Sequence, residues 1–254
     1  MQEWVEKIKY LENLAQRNEK VLLDTNILNH ENKNEIPLPK EIYTCKKSLS
    51  LDHERVKREI NYCVELTRLI NQYPNIQTIP EVYKEHSTLL RIINNSINHH
   101  NNRLERLKKH LKSEDFGDLE EESENLMLLR DYSNVIMTNL RYLKKRCISL
   151  NNEYGEIANT VINLSKMYNI RKNESYTDEK LVAAAFYLCS KAPVHLVSLD
   201  RDILKIFKQM YKKAKIKSIL RYPLHLHTYS RKVNKLAEKV RYLPKKSRRK
   251  FHSN

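Results

Sequence analysis

Glycine is almost missing from this 254-residue chain, in which only Gly117 and Gly155 occur. Dinucleotide-binding loops and Walker-type phosphate loops need several glycines close together, because their backbone must approach a phosphate closely. Two isolated glycines cannot build either loop. Both classes of nucleotide-binding protein are therefore excluded, and any phosphate chemistry in this chain must use other means.

Cysteine and long apolar runs are also scarce. The four cysteines are widely separated and form no Cys-x-x-Cys pair, which argues against a thiolate zinc site and against a secreted disulfide framework. No apolar run approaches the ~20 residues of a membrane span, and acidic residues interrupt the first ten positions. The sequence therefore predicts a cytoplasmic protein with no membrane partner, long enough to bury a core without a metal staple.

Acidic residues are nearly absent from the C-terminal end. From Ile203 onward the chain has 17 basic residues and one acid, Glu238, so this last fifth carries the whole formal charge of +16. Such a concentration of positive charge is typical of a protein that binds a polyanion, most often a nucleic acid. The alternatives are a solubilising tail and an anionic membrane surface, and the end segment has no amphipathic stripe to support the latter.

The apolar pattern predicts an α/β fold interrupted by a long helical segment. The segments VLLDTNIL, IQTI and VHLVSLD have the apolar character of buried strands. From Pro80 to Leu164, apolar residues recur at spacings of three and four, which predicts a projecting antiparallel helical hairpin that turns near Gly117. The predicted divisions are 1–79 for an N-terminal helix and the first half of the core, 80–168 for the hairpin insertion, 169–222 for the second half of the core, and 223–254 for a basic extension.

Shorter elements follow from local patterns. The segment IKSIL indicates a strand, LHLHTYS a turn, and the spacing of Val233, Leu236 and Val240 a helix. His225 and His227 within LHLHTYS are most simply surface residues, because no further zinc ligands at a recognisable spacing accompany them.

Four acidic residues occupy related places in the predicted elements. Asp24 and Asp200 each end a strand, Glu85 lies in the helix after the second strand, and Asp178 begins a helix. Carboxyl ends of parallel strands share one edge of a sheet, so these carboxylates are expected to converge there. Converging carboxylates repel one another unless they bind hard divalent cations, so the pattern predicts an Mg²⁺ or Mn²⁺ site.

Each acid also has a simpler explanation when it is taken alone. An aspartate at a helix start is often an ordinary cap, and this applies most strongly to Asp178 after Thr177. Asp24 is the hardest to explain in this way, because a carboxylate after VLL at a strand end is unfavourable unless it is paired, capped or bound to metal.

The segments VLLDTNIL, IPEVYKE, YTDEKLVAAA and VHLVSLDRDI resemble, in that order, the four acidic motifs of PIN-domain nucleases. The resemblance implies a PIN-like central parallel sheet flanked by helices and a metal-dependent endoribonuclease. It implies catalytic and metal-binding roles for Asp24, Glu85, Asp178 and Asp200, a further metal ligand in Asp202, and supporting roles for Asn26 and Ser198. Glu81 and Glu179 are neighbouring acids that could substitute for them.

RNA is the expected substrate and partner, gripped by lysines and arginines through its phosphates. The expected RNA-binding residues are Lys205, Lys208, Lys212, Lys213, Lys215, Lys217, Lys245, Lys246, Arg248, Arg249 and Lys250. RNA processing is favoured over a toxin-type ribonuclease, because PIN toxins are usually minimal domains. The alternative from another class is a catalytically inactive PIN-like scaffold that binds RNA or a ribonucleoprotein, and the helical arm is expected to bind any protein partner.

Overall fold

A computed structural model describes residues 3–29, 52–110, 116–149, 151–168, 176–230 and 235–244. It confirms the α/β class, with a five-stranded, mostly parallel sheet flanked by helices. The helices are α1 Glu3–Ala15, α2 His53–Gln72, α3 Pro80–His110, α4 Phe116–Arg146, α5 Asn152–Met167, α6 Thr177–Cys189, α7 Arg201–Tyr211 and α8 Ala214–Ile219. The strands are β1 Lys20–Leu23, β2 Ile76–Gln77, β3 Val194–Val197, β4 Leu224–Ser230 and β5 Lys235–Tyr242, in the sheet order β2-β1-β3-β4-β5.

The chain divides into two compact units. The first comprises Met1–Arg17 and Leu23–Ile148, and the second comprises Asn18–Leu22 and Ser149–Asn254, so the division falls within β1. We refer to them as the helical unit and the sheet unit. Over the described ranges, none of the helices combines the length and apolarity that crossing a membrane requires.

In the helical unit, α4 packs against both α2 and α3. Hydrogen bonds from Ser133 Oγ to Asn94 Oδ1 (2.6 Å) and from Arg130 Nη2 to Asn101 Oδ1 (2.8 Å) show that α3 and α4 run antiparallel. The predicted seam residues Leu104 and Leu143 are both buried. Because α4 also lies along α2, the expectation that the two helices project from the core as a separate arm is wrong.

The second arm of the predicted hairpin is interrupted. Helix α4 ends at Arg146, where the chain turns aside to pair with Thr78: Ile148 N donates to Thr78 O at 2.9 Å. Asn151 then caps α5 by accepting from Tyr154 N at 2.9 Å, and Gly155 lies inside α5. The apolar spacing continues across the break because both helices have a buried face, so the spacing alone concealed their boundary.

In the sheet unit, α6 occupies the centre. Every residue from Leu181 to Cys189 is buried, and α6 packs against α5, α7, α8, β3 and β4. The run Ala183–Ala185 lets these neighbours approach closely, while the rings of Phe186 and Phe207 meet with their centroids 5.7 Å apart. This explains why the segment is apolar on all sides rather than along one stripe.

The C-terminal part of the sheet unit differs from its predicted form. LHLHTYS is strand β4 rather than a turn, and residues 235–242 form β5, antiparallel to β4, rather than a helix. Leu236 and Val240 are four residues apart, a spacing that fits the helical period of 3.6 residues and the strand period of two. The segment forms a strand because it pairs with the edge of β4. The predicted strand IKSIL is instead mostly helix α8, with Ile216 buried.

The histidines of β4 are internal. His225 and His227 are 9% and 1% exposed, so their interpretation as surface residues is wrong. His227 Nε2 lies 2.8 Å from His195 Nδ1, and His195 Nε2 hydrogen-bonds to Glu19. These contacts satisfy imidazoles that would be unfavourable in a core without partners.

Candidate functional site

Asp24 lies in the helical unit at the carboxyl end of β1, directly after three buried residues. Asp24 is only 4% exposed, and it is the N-cap of a single 3₁₀ turn, Thr25–Ile27. Its Oδ1 accepts a hydrogen bond from Thr25 N at 2.6 Å. Burying a carboxylate is unfavourable unless hydrogen bonds or charges compensate for the lost hydration. The bond from Thr25 N provides part of this compensation and fixes the orientation of the carboxylate.

Thr25 connects Asp24 to a second predicted acid. Its Oγ1 donates to Glu85 Oε2 at 2.7 Å, from a side chain that is itself buried. Glu85 is half-buried on α3, which packs against the 3₁₀ turn. Thr25 therefore bonds to acids of the first two motifs, Asp24 through its backbone and Glu85 through its side chain.

The turn that carries Asp24 is fixed from behind. A single 3₁₀ turn leaves carbonyl groups without helical partners, and buried carbonyls need donors from elsewhere. Helices α1 and α2 supply three of them. The bonds join the carbonyl oxygens of Ile27, Leu28 and Asn29 to Tyr62 Oη, Cys63 Sγ and Lys7 Nζ, at 2.5, 3.7 and 3.0 Å.

These donors lie in a strongly desolvated place. Burial lowers the pKa of Lys7 to about 8, although the negative charge of Glu59 acts in the opposite direction. Burial also raises the pKa of Tyr62 and of Cys63 well above their ordinary values. Electrostatic interactions around the turn are therefore weakly screened.

A pocket of about 370 Å³ opens beside the Asp24–Thr25–Glu85 chain, within the helical unit. Its polar lining residues include Thr25, Glu85 and Asn29, and its apolar lining residues are Leu89 and Ile92. His86, which is 1% exposed, also lines it. A concave site of this size with the Glu85 carboxylate in its lining can hold part of a substrate.

In the sheet unit, Asp178 lies in the first turn of α6 and is 6% exposed. It is not the N-cap, which is Tyr176, a residue in the left-handed region with φ 48° and no side-chain capping bond. The neighbouring Glu179 is also buried and accepts from Ser165 Oγ at 2.7 Å. The start of α6 therefore buries two carboxylates, where the sequence indicated one.

Asp200 and Ser198 form a capping turn between β3 and α7. Asp200 is the N-cap of α7 and accepts from Asp202 N at 2.7 Å, while its own N–H donates to Ser198 Oγ at 2.9 Å. Asp202 is half-buried and forms an ion pair with Lys205 at 2.6 Å. The turn thus gives Asp200 and Ser198 a structural role in addition to the predicted one.

The remaining predicted residues have simpler surroundings. Asn26 is half-buried in the 3₁₀ turn, and Glu81 is half-buried in the first turn of α3. Lys213 hydrogen-bonds to the hydroxyl of Tyr168, and its ammonium lies 4.7 Å from the centre of that ring. Among the lysines predicted to bind RNA, those with exposed side chains are Lys205, Lys208, Lys212 and Lys217. The side chain of Lys215 and the tail residues Lys245, Lys246, Arg248, Arg249 and Lys250 lie outside the described residues.

The described residues contain no group of three or more histidine, cysteine, aspartate or glutamate side chains arranged to hold a metal ion. Asp24 and Glu85 do provide two carboxylates joined through one threonine. Mg²⁺ is commonly bound by one or two protein carboxylates, with water and substrate phosphate completing its shell. The donor set of the helical unit is therefore of the kind that a hard cation accepts when water or phosphate completes its shell.

Sequence patterns did not identify three contributors to this site. Thr25 joins the acids, Lys7 holds the turn, and Asn29 lines the pocket. Thr25 directly follows Asp24, and Asn29 lies five residues after it, so their proximity to Asp24 was visible. The spacing of Lys7 to Leu11 and Leu14 places it on the buried face of α1, but its bond to Asn29 O could not be read from the sequence.

Neither a protein-family model, a curated protein nor a solved structure matches this chain. The features of the chain that bear on its function are therefore the four acidic motifs and the local geometry around them.

Proposed function

We propose that this protein is a metal-dependent endoribonuclease of the PIN-like type that acts in RNA processing. The observation that carries the proposal is Asp24, buried at the end of β1 and joined through Thr25 to Glu85. An aspartate with a purely structural role needs only the capping bond from Thr25 N. Here the side chain of the same threonine also bonds to a second carboxylate, that of Glu85. Two acids held close together are the arrangement that a hard cation compensates.

The residues of the helical unit have distinct tasks in this proposal. Asp24 and Glu85 would hold Mg²⁺ or Mn²⁺, and Thr25 positions both carboxylates. Such an ion, when bound, lowers the pKa of its water and stabilises charge that develops on a phosphodiester. The resemblance adds Asp178 and Asp200 to the catalytic residues and Asp202 to the ligands, and each is to be tested by its own substitution.

RNA binding in this proposal depends on the basic C-terminal part of the chain. Lys205, Lys208 and Lys212 lie on or next to α7, and their side chains are exposed, so they are available to phosphates. Contacts of this kind position a strand without reading its sequence. The exposed Tyr168 beside Lys213 offers in addition a ring on which a base can stack.

The proposal is tested by Mn²⁺-dependent cleavage of a mixed RNA substrate by Asp24→Asn and Glu85→Gln proteins. We expect each variant to remain folded and to lose about 100-fold or more of the activity, and Thr25→Val to lose about 10- to 100-fold, because it only positions the ligands. The controls are Asp131→Asn and Glu124→Gln, which change exposed acids of α4. Undiminished cleavage by folded Asp24→Asn protein would contradict the proposal.

The absence of a larger metal-binding group among the described residues favours one second candidate, the inactive PIN-like scaffold that binds RNA or a ribonucleoprotein. The RNA cleavage assay distinguishes the enzyme from the scaffold. A wild-type protein that binds RNA but cleaves none in Mg²⁺ or Mn²⁺ is a scaffold, and one that cleaves is an enzyme.

A further inference from the structure

Three histidines of the sheet unit form a cluster between β3 and β4. His195 of β3 lies opposite His225 of β4, and His227 follows two residues later on the same face of the strand. The ring centre of His195 lies 4.7 Å from that of His225 and 5.0 Å from that of His227. None of the three is more than 9% exposed. The proposed cleavage of RNA uses none of them, so their contacts call for a separate explanation.

Charged groups border this cluster on two sides. Glu19, just before β1, hydrogen-bonds to His195 Nε2. Glu238 of β5 lies 3.1 Å from His225 Nδ1 and accepts two bonds from Arg241, at 2.7 and 3.0 Å. The bonds from Arg241 and His225 lower the pKa of Glu238 to about 2. Glu238 therefore stays ionised where histidine titrates, near pH ~6.5, and His225 can take up a proton beside it.

The contact between His195 and His227 limits how many protons this pair can hold. His195 Nδ1 lies 2.8 Å from His227 Nε2, so one proton lies between them, and one nitrogen donates while the other accepts. His195 can carry a positive charge in this arrangement, because its Nε2–H faces the carboxylate of Glu19. If both rings are charged, both nitrogens carry a proton and neither can accept. Two N–H groups and two positive charges would then face each other in a buried place, and the bond must break.

We propose that His195 and His227 form an acid-sensitive switch, which holds β4 against β3 at neutral pH and opens when both imidazoles become protonated. The folded pair holds one positive charge at most, whereas each histidine of the unfolded chain titrates near pH ~6.5. Below that pH the unfolded chain binds more protons, so acidification destabilises the junction of β3 and β4, and a rise in pH restores it. The inference concerns the sheet and is independent of the proposed RNA cleavage.

The test is hydrogen exchange of the full chain at about pH 7.5 and about pH 5, followed by mass spectrometry without RNA or metal. Dividing each exchange rate by that of an unprotected amide at the same pH gives the opening equilibrium of β4. The comparison variant is His227→Gln, whose amide stands near the position of Nε2 and takes up no proton. On acidification, the opening equilibrium should rise about 30-fold more in the wild type than in this variant.

The matched control is His53→Gln. His53 Nε2 lies 2.6 Å from Asn125 Oδ1, a bond that survives protonation because the oxygen accepts from either form of the ring. This control should keep the wild-type response. If His227→Gln does not fold, His195→Asn tests the same contact, because the asparagine amide stands near the position of Nδ1.

Two results would overturn the proposal. One is the same pH response of β4 in the wild type and in a folded variant of His195 or His227. The other comes from the wild type alone, in which NMR of the histidine rings reports the charge of each imidazole. Two charged rings at positions 195 and 227 in folded protein at about pH 5 would show that the pair does not limit protonation. One charged ring at most, with the larger opening of wild-type β4, supports the switch.

Discussion

Lys7 links the geometry of the candidate site to the stability of the helical unit. Its ammonium donates to Asn29 O from a buried position, where burial lowers its pKa from 10.5 to about 8. Between these two values the unfolded chain binds a proton that the folded chain has released, so the free energy of unfolding rises with pH. The shift corresponds to a rise of about 3 kcal/mol at most.

We therefore expect Lys7→Met to remove this rise between pH 8 and 10.5. The measurement is urea unfolding of the two proteins at several pH values, compared as the difference in unfolding free energy. The raised pKa values of Tyr62 and Cys63 act in the opposite direction, but they are present in both proteins. Lys9→Met, an exposed change on the same helix, should keep the wild-type slope, and an unchanged slope in Lys7→Met would refute the assignment.

At the scale of single residues, the sequence predicts the role of a side chain only where the local pattern makes that residue unfavourable without a specific partner. Asp24 was identifiable because a carboxylate follows an apolar run. The ordinary role of Asp200 as a cap was equally predictable from its place before a helix. The role of Lys7 was not, because its bond to the turn after β1 joins residues 22 positions apart, which no spacing within α1 encodes.

At the scale of elements, Gly155 is a weak point in α5. It lies in the fourth position of the helix, its N–H donates to Asn151 O at 3.1 Å, and a Cβ built on it would have open space around it. Glycine inside a helix is less favourable than alanine by about 1 kcal/mol. Gly155→Ala should therefore stabilise the protein by roughly that amount, seen as a higher midpoint of thermal unfolding.

The matched variant is Gly155→Pro, which removes the donor to Asn151 O and should destabilise the protein by about 3 kcal/mol. If the alanine variant is instead less stable than wild type, the helix is kinked at this position and α5 is not regular.

The elements that the sequence failed to predict share a cause. Residues 129–164 kept one spacing across two helices, and the break between them is set by a partner far along the chain, Thr78. Strand β5 likewise depends on the free edge of β4. Elements with an internal signal, such as β1 and β3 within their apolar runs, were predicted correctly, whereas those decided by long-range pairing were not.

At the scale of the whole molecule, charge is divided along the chain rather than spread over it. The residues before Ile203 contain equal numbers of acidic and basic side chains, and the rest contain the net +16. In the proposed function, the acidic motifs perform the chemistry and the basic end supplies affinity for the polyanion. The two contributions respond differently to salt, because phosphate contacts release counterions.

The basic tail can be separated from the exposed lysines of α7 by salt dependence. Ending the chain at Leu243 removes Lys245, Lys246, Arg248, Arg249 and Lys250. If each contacts a phosphate of single-stranded RNA, the slope of log affinity against log salt should fall by about 3.5 in magnitude, with the cut site unchanged. The matched variant replaces Lys205, Lys208 and Lys212 by glutamine, with an expected change of about 2. An unaltered slope after truncation would show that the tail serves solubility, and a large effect of the lysine substitutions would then assign RNA binding to the α7 surface.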